Sequence, residues 1–342
     1  MARNIKKGRA IVRGTVMNTI KKRCKTIALV LIASVMLTGC ETDVSVFDNY
    51  DATLPKEEQN NVFGAKEQQL LSSDICVVPK KKQSKKDSFM TAGASLIFDN
   101  TDNKMLYADN IYQKMYPAST TKIVTALVAL KYGNLDDVVT IGYNATHIAE
   151  YGAKLCGFAE GDKITLKKLL YSFLICSGND AGIAIAEHIS GSVEKFAELM
   201  NKEAKSLGCS GSNFVNPHGL HDDDHYTTPY DLYLVFHELL NYDVFMDIIN
   251  HSSYKAEFNG ADGSKKTLWF ASTDKYLLGS VKAPDGVTVI GGKTGTTSMA
   301  GSNLILYTKN NNGKSYISVV MHASDSFNLY SQMSHLLEME NK

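Results

Sequence analysis

The hydrophobic period of this chain changes twice, and where it changes limits what the chain can fold into. Ala94-Ser95-Leu96-Ile97-Phe98-Asp99, a polar turn at 100–103 and Met105-Leu106-Tyr107 read as the two strands of a hairpin. A helical middle follows: residues 123–131, 166–175, 181–188, 193–207 and 228–240 carry apolar side chains at helical spacing. From Val287 the pattern returns to strand type at 287–292, 303–308 and 316–321, and Asn310-Asn311-Asn312-Gly313 turns the last two into a hairpin. Residues 328–340 predict a closing helix. Strands at both ends with helices between predict an α/β (α+β) body: one antiparallel sheet assembled from both ends, flanked by helices, with an all-helical lobe inserted.

Charge divides the chain differently. Lys plus Arg and Asp plus Glu each number 36, for a net charge of zero, but residues 1–39 hold nine basic side chains and no acidic one. The remaining 303 residues carry 27 basic against 36 acidic groups, a net of −9. That excess argues against nucleic acid as a partner, because phosphate binding needs a basic face.

The basic segment predicts export. Lys21-Lys22-Arg23-Cys24-Lys25 precedes an uncharged, largely apolar run at 27–37. As a helix that run rises roughly 16 Å, short of the roughly 30 Å hydrocarbon core of a bilayer. A basic flank, a short apolar run and small residues after it describe a signal peptide over 1–39. Residues 40–88 are polar, with the basic run Lys80-Lys81-Lys82-Gln83-Ser84-Lys85-Lys86, and predict a flexible tether. The ordered body is expected over 89–342.

Three polar clusters stand at element boundaries. In Pro117-Ala118-Ser119-Thr120-Thr121-Lys122, Ser119 and Lys122 lie three residues apart at a helix start, so both project from one face. A serine hydroxyl becomes a useful nucleophile only when a neighbouring base takes its proton. Lysine serves as that base if burial or nearby positive charge brings its pKa down from about 10.4. Alone, the tetrad reads better as a capping serine beside a surface lysine, because Ser-x-x-Lys is common by chance. Ser177-Gly178-Asn179-Asp180 sits between two helices, where a plain turn would carry the same residues. Lys293-Thr294-Gly295 follows an apolar strand; a phosphate loop does not fit its spacing.

Together, Ser-x-x-Lys, Ser-x-Asn and Lys-Thr-Gly in this order resemble the penicillin-recognising serine enzymes, the penicillin-binding proteins and serine β-lactamases. Within that group the chain resembles the low-molecular-mass D-alanyl-D-alanine carboxypeptidases, peptidase family S11, from about Ala92 onward. Tyr116 to Lys122, Ser177 to Ala181, Asn216-Pro217-His218-Gly219-Leu220, Tyr226 to Leu232 and Lys293 to Thr297 carry the likeness. The resemblance implies a penicillin-binding-protein fold, with 89–342 as a transpeptidase-like catalytic domain. It also implies removal of the terminal D-Ala of peptidoglycan stem peptides through a Ser119 acyl-enzyme. Lys122 would accept the Ser119 proton, Ser177 would relay protons to the leaving amine, and Asn179 would bind the substrate peptide. Lys293 and Thr294 would hold the terminal carboxylate, and the N–H groups of Ser119 and Thr296 would form the oxyanion hole. Gly295 would lack a side chain so that substrate can lie along the strand. β-Lactams would act as inhibitors, and no cofactor or metal is expected. Leu37-Thr38-Gly39-Cys40 resembles a lipoprotein cleavage site, which implies lipidation of Cys40 and a membrane anchor on the extracytoplasmic face. Only about 20 residues follow the last strand, so the β-rich second domain that many family members carry is expected to be missing.

Some patterns carry less. His221-Asp222-Asp223-Asp224-His225 looks like a metal cluster, but Gly219 before it and Pro229 after it indicate a loop. Glu238 and Asn241 lack the spacing of the water-positioning pair of class A β-lactamases. Trp269 and the 17 Tyr show no cage-like spacing and are read as packing. Cys76, Cys156, Cys176 and Cys209 have no metal-type spacing and are expected to be free, mostly buried thiols. Two other functions compete: a β-lactamase, distinguished by fast deacylation, and a non-catalytic wall-binding lipoprotein, which intact Ser119, Lys122, Ser177 and Lys293 disfavour.

Overall fold

The computed structural model divides the chain into two units, Met1–Gln68 and Gln69–Lys342, and describes residues 75–150 and 152–341, all in the second unit. The expected signal peptide, the lipidation site at Cys40 and the tether from 40 to 74 lie outside the described residues. Among the described residues no helix is long and apolar enough to cross a membrane.

The two ends of the body build one sheet. β1 (Ala94–Asp99) pairs antiparallel with β2 (Lys104–Asp109) on one side and with β9 (Ser315–Ala323) on the other. β8 (Gly301–Asn310) and β7 (Val287–Thr297) complete the order β2-β1-β9-β8-β7. Side chains alternate between faces along a strand, and here both faces are buried. Leu96, Phe98, Ile305, Ile317, Val319 and Met321 join a large core shared with the helices. Ile97, Leu304, Leu306 and Val320 point the other way, into a smaller core under α8 (Ser326–Leu337), which contributes Leu329, Met333, Leu336 and Leu337. Burial on both faces explains why β1 is apolar without a break.

Between the halves of the sheet lie α1 (Lys122–Tyr132), a single helical turn α2 (Tyr143–Thr146), α3 (Leu166–Cys176), α4 (Asn179–Ser190), α5 (Val193–Ser206), α6 (Pro229–Leu239) and α7 (Asp243–Ile249). The caps follow the sequence: Thr165, Ser192 and Thr228 each accept a hydrogen bond from the backbone N–H three residues on. The inserted lobe is not wholly helical. β3 (Val138–Thr140), β4 (Lys163–Thr165), β5 (Ser253–Asn259) and β6 (Lys265–Ala271) form a second, four-stranded antiparallel sheet. Trp269 corrects another expectation. It is 71% exposed on β6, with the Lys255 ammonium 5.6 Å from its ring centre, because its side of that strand faces solvent.

The expected tether also ends earlier than residue 88. Cys76 and Val78 are buried against the body. Tyr230 donates to Cys76 O at 3.0 Å, and Cys76 N donates to the Tyr233 hydroxyl at 2.8 Å. Ser84 N donates to Ala108 O, and Ile111 N to Gln83 Oε1. Backbone and side-chain partners fix the segment despite its polarity, and hydrophobic periodicity does not register such bonds.

Candidate active site

Ser119 lies in a 3-10 turn, Ala118–Thr121, and Lys122 begins α1 immediately after it. Side chains at i and i+3 eclipse in such a turn, which brings Lys122 Nζ within 2.9 Å of Ser119 Oγ. Lys122 is 0% exposed. Its Nζ also donates to Asn179 Oδ1 at 2.7 Å and to His218 O at 2.6 Å. Among the described residues no carboxylate bonds to this buried amine. Burial pushes the Lys122 pKa well below the ordinary lysine value, and the nearby Lys293 ammonium pushes it further down.

The turn that presents Ser119 is held from several sides. Asn303 on β8 donates through Nδ2 to Tyr116 O and Pro117 O, both at 3.0 Å, while its Oδ1 accepts from His322 N. Ala118 sits at φ +48°, a left-handed conformation costly for a residue with a Cβ. Gly219 closes over it: a Cβ at Gly219 would lie 1.8 Å from Ala118 O. His225, at the end of the acidic loop, is buried and takes part in the support. Val215 N donates to its Nδ1, so Nε2 carries the proton and donates to Thr121 Oγ1, which donates to Ala118 O. Burial lowers the His225 pKa to about 4, keeping the ring neutral for this chain of bonds. Among the described residues no group of three or more His, Cys, Asp or Glu is placed to hold a metal.

Gly295 has a second reason for lacking a side chain, beside the one read from the sequence. A Cβ there would meet Pro117 O and Thr120 N at 2.8 Å and Ser119 N at 2.9 Å. It is the nucleophile's own turn that presses against β7 at this point. The contact sets the N–H of Ser119 and the backbone around Thr296 on facing segments.

Ser177 caps the end of α3 at φ +66°. Lys293, on β7, reaches it: Nζ donates to Ser177 Oγ and to Thr294 O, both at 2.9 Å. Lys293 is 2% exposed, and its pKa falls to about 7, first through burial and then through the Lys154 ammonium. Asn179 opens α4 with its Oδ1 on Lys122. Asp180 beside it turns away from the site. Its carboxylate accepts from Cys156 N at 2.8 Å, Gly157 N at 2.9 Å and Phe158 N at 3.4 Å, fastening the 154–158 loop over the turn.

A cleft of about 280 Å³ opens over these groups, lined by Ser119, Ser177, Thr294, Gly295 and Thr296 together with Lys154, Thr273 and Lys275. Ser326, Leu329 and Tyr330 complete the lining, which among the described residues includes no carboxylate. Thr294 donates to Thr273 Oγ1 at 2.5 Å. Every predicted site residue of the body therefore falls within one cluster: Ser119, Lys122, Ser177, Asn179, Lys293, Thr294, Gly295 and Thr296. The sequence reading missed Lys154, Thr273 and Lys275, which sit in loops without a motif. It also missed Asp180, His225 and Asn303, whose work is to hold backbone. Glu238 lies on α6 and does not line the cleft.

A family model described as D-alanyl-D-alanine carboxypeptidase, peptidase family S11, matches residues 80–325. The chain belongs to this family. It is 34% identical over 254 residues to D-alanyl-D-alanine carboxypeptidase DacF of Bacillus subtilis, a match covering 72% of this chain and 61% of that relative. It is 33% identical to DacA of Haemophilus influenzae, over 68% of this chain and 57% of that one. The chain thus matches little more than half the length of these relatives. The crystal structure of the Streptomyces K15 DD-transpeptidase is similar at a TM-score of 0.68 and 26% identity, covering 75% of this chain and 99% of that one. Penicillin binding protein 5 of Haemophilus influenzae is similar at a TM-score of 0.64 and 29% identity, over 75% and 72% of the two chains. The penicillin-binding-protein fold expected from the motifs is the fold observed.

Proposed function

We propose that this protein is a serine-type D-Ala-D-Ala carboxypeptidase that removes the terminal D-Ala of peptidoglycan stem peptides through a Ser119 acyl-enzyme, and that β-lactams acylate the same residue. The observation that carries this reading is the set of partners around Lys122 Nζ. An ammonium has three donors and no acceptor; a neutral amine has two donors and one lone pair. Deprotonated, Lys122 keeps its donations to Asn179 Oδ1 and His218 O and turns its lone pair to Ser119, 2.9 Å away. Burial favours that neutral form. Ser119 Oγ attacks the carbonyl carbon of the penultimate D-Ala as its proton passes to Lys122. The N–H groups of Ser119 and Thr296 stabilise the developing oxyanion, each worth about 10²–10³ in rate. Collapse breaks the peptide bond, and Ser177, between Lys293 and the cleft, passes a proton to the leaving amine. Water then cleaves the ester.

Recognition of a free carboxylate is assigned to Thr294 and Thr296 with the cleft cations Lys154 and Lys275, while Lys293 is engaged with Ser177. Asn179, with its Oδ1 on Lys122, offers its amide N–H groups to the substrate peptide. Glu238 lies on α6 outside the cleft, which supports a carboxypeptidase over a β-lactamase that borrows a glutamate. The sequence before residue 40 supports export, and Leu37 to Cys40 supports a lipid anchor on the outer face of the cell membrane. Mass spectrometry after incubation with penicillin, and separately with a pentapeptide ending in D-Ala-D-Ala, tests the reading. A penicilloyl adduct on Ser119 and release of D-Ala are expected, both lost in Ser119→Ala. Labelling that persists in that variant refutes it.

A further inference from the structure

We propose that Cys156 and Cys176 form an oxidisable pair whose disulfide ties the 154–158 loop to the end of α3 and slows acylation of Ser119 by displacing Ser177. The loop and the end of α3 are interleaved at this point. Cys176 Sγ donates to Leu155 O at 3.6 Å, and Cys156 Sγ to Ser172 O, one turn before Cys176, at 3.5 Å. The two thiols lie close enough to couple electrostatically with each other. Packing is tight enough that a Cβ at Gly178 would lie 2.4 Å from Cys156 Sγ. Cys76 and Cys209, by contrast, bond elsewhere: Cys76 N donates to the Tyr233 hydroxyl and Cys209 Sγ to Asp231 O at 3.5 Å.

The pair is chemically unequal in the way an oxidisable pair needs. The Cys176 thiol is held down to about 7, first by its coupling to the neighbouring Cys156 thiol, with the Lys154 and Lys293 ammonium groups helping. Burial holds the Cys156 thiol well above its ordinary value. Cys176 is therefore the thiolate that meets an oxidant, and Cys156 the thiol that resolves it. With hydrogen peroxide as the oxidant, the Cys176 thiolate attacks one oxygen, the O–O bond breaks and hydroxide leaves, giving a sulfenic acid; the hydroxide takes up the proton the thiol had released and becomes water. Cys156 sulfur then attacks the Cys176 sulfur, the S–O bond breaks, and the Cys156 proton departs with the hydroxide as a second water. Two thiols lose two electrons, and one peroxide becomes two waters.

The mechanical consequence falls on Ser177. Two thiols in van der Waals contact must close by roughly 1 Å or more to reach the ~2.05 Å of a disulfide. The Cys156 backbone resists that movement, because its own N–H and those of Gly157 and Phe158 are bonded to the Asp180 carboxylate. With that backbone held, closure draws on Cys176 and shifts the adjoining left-handed Ser177, disturbing its 2.9 Å bond with Lys293 Nζ. A catalytic group misplaced by about 1 Å costs on the order of a hundredfold.

The test treats the full chain with hydrogen peroxide, maps its peptides without reduction, and times labelling by a fluorescent penicillin before and after dithiothreitol. A Cys156–Cys176 linked peptide is expected, with labelling slowed at least about tenfold and restored by the reductant. In Cys156→Ser the same treatment leaves an oxidised Cys176 that a sulfenic-acid probe captures, and no link. Two free thiols at 156 and 176 after treatment, or a linked pair that labels at the untreated rate, overturns the proposal. The effect on labelling rests on the acyl-enzyme reading, whereas the peptide map does not. Untreated protein that takes no penicillin refutes that reading and leaves the link to be judged on the map.

Discussion

Gly295→Ala separates two explanations of one glycine. If the residue is small only to admit substrate along β7, the free protein loses nothing and KM alone rises. The structure gives the Cβ nowhere to go even without substrate: Pro117 O and Thr120 N stand at 2.8 Å and Ser119 N at 2.9 Å. Ordinary contacts of a Cβ begin near 3.4 Å, so β7 and the 3-10 turn must separate by roughly half an ångström. Overpacking of this kind costs about 1–3 kcal/mol of stability. The same separation draws the Ser119 N–H away from its partner amide, and partial loss of an oxyanion donor predicts acylation slowed by about tenfold to a hundredfold. The measurements are the second-order rate of penicillin labelling and the guanidinium unfolding midpoint of the same sample. Expected is a fall in both. An alanine variant with wild-type stability that labels at the wild-type rate refutes the argument that the turn rests on this glycine.

Two further changes probe the charges. Lys154→Ala removes a cation that holds the Lys293 pKa down; that pKa rises, and the limb of the acylation pH profile near 7 moves to higher pH, while unchanged limbs refute the coupling. Glu340, buried with its Oε1 accepting from Thr308 Oγ1 at 2.6 Å, is raised to about 7, chiefly by burial. Its folded pKa lies above the unfolded one, so the stability it contributes is complete below about 4.5 and is lost as pH rises through about 7. Glu340→Gln should therefore unfold at higher denaturant than wild type at pH 8, by up to about 3 kcal/mol, and show little gain at pH 4; an equal gain at both pH values refutes the assignment.

Much of this was legible in the sequence. The outer strands announce themselves because both faces of the large sheet are buried, as the unbroken run Leu96-Ile97-Phe98 requires. Ser119, Lys122, Ser177 and Lys293 were findable because they sit at element boundaries in a fixed order. The small sheet escaped notice although Tyr254, Ala256 and Phe258 alternate with polar residues; its other face is exposed and carries Lys255 and Glu257. The segment 75–88 escaped because side-chain acceptors and tyrosine hydroxyls, absent from any periodicity, hold it. Asn303 and Asp180 bind backbone amides and carbonyls far along the chain, and no local spacing encodes that. Gly295 shows the remaining limit: the sequence says that a side chain is forbidden, and only geometry says by what.

Ala94 finds its partner in Met321, and the Asn303 side chain reaches back to the carbonyls of residues 116 and 117. The nucleophile is made early in synthesis, yet the strands that brace it come almost last. Loop closures this long are slow. A ribosome-bound or clipped fragment ending before β8 would carry the reactive serine without the brace that aims it, so competence arrives all at once, when the C-terminal strands dock.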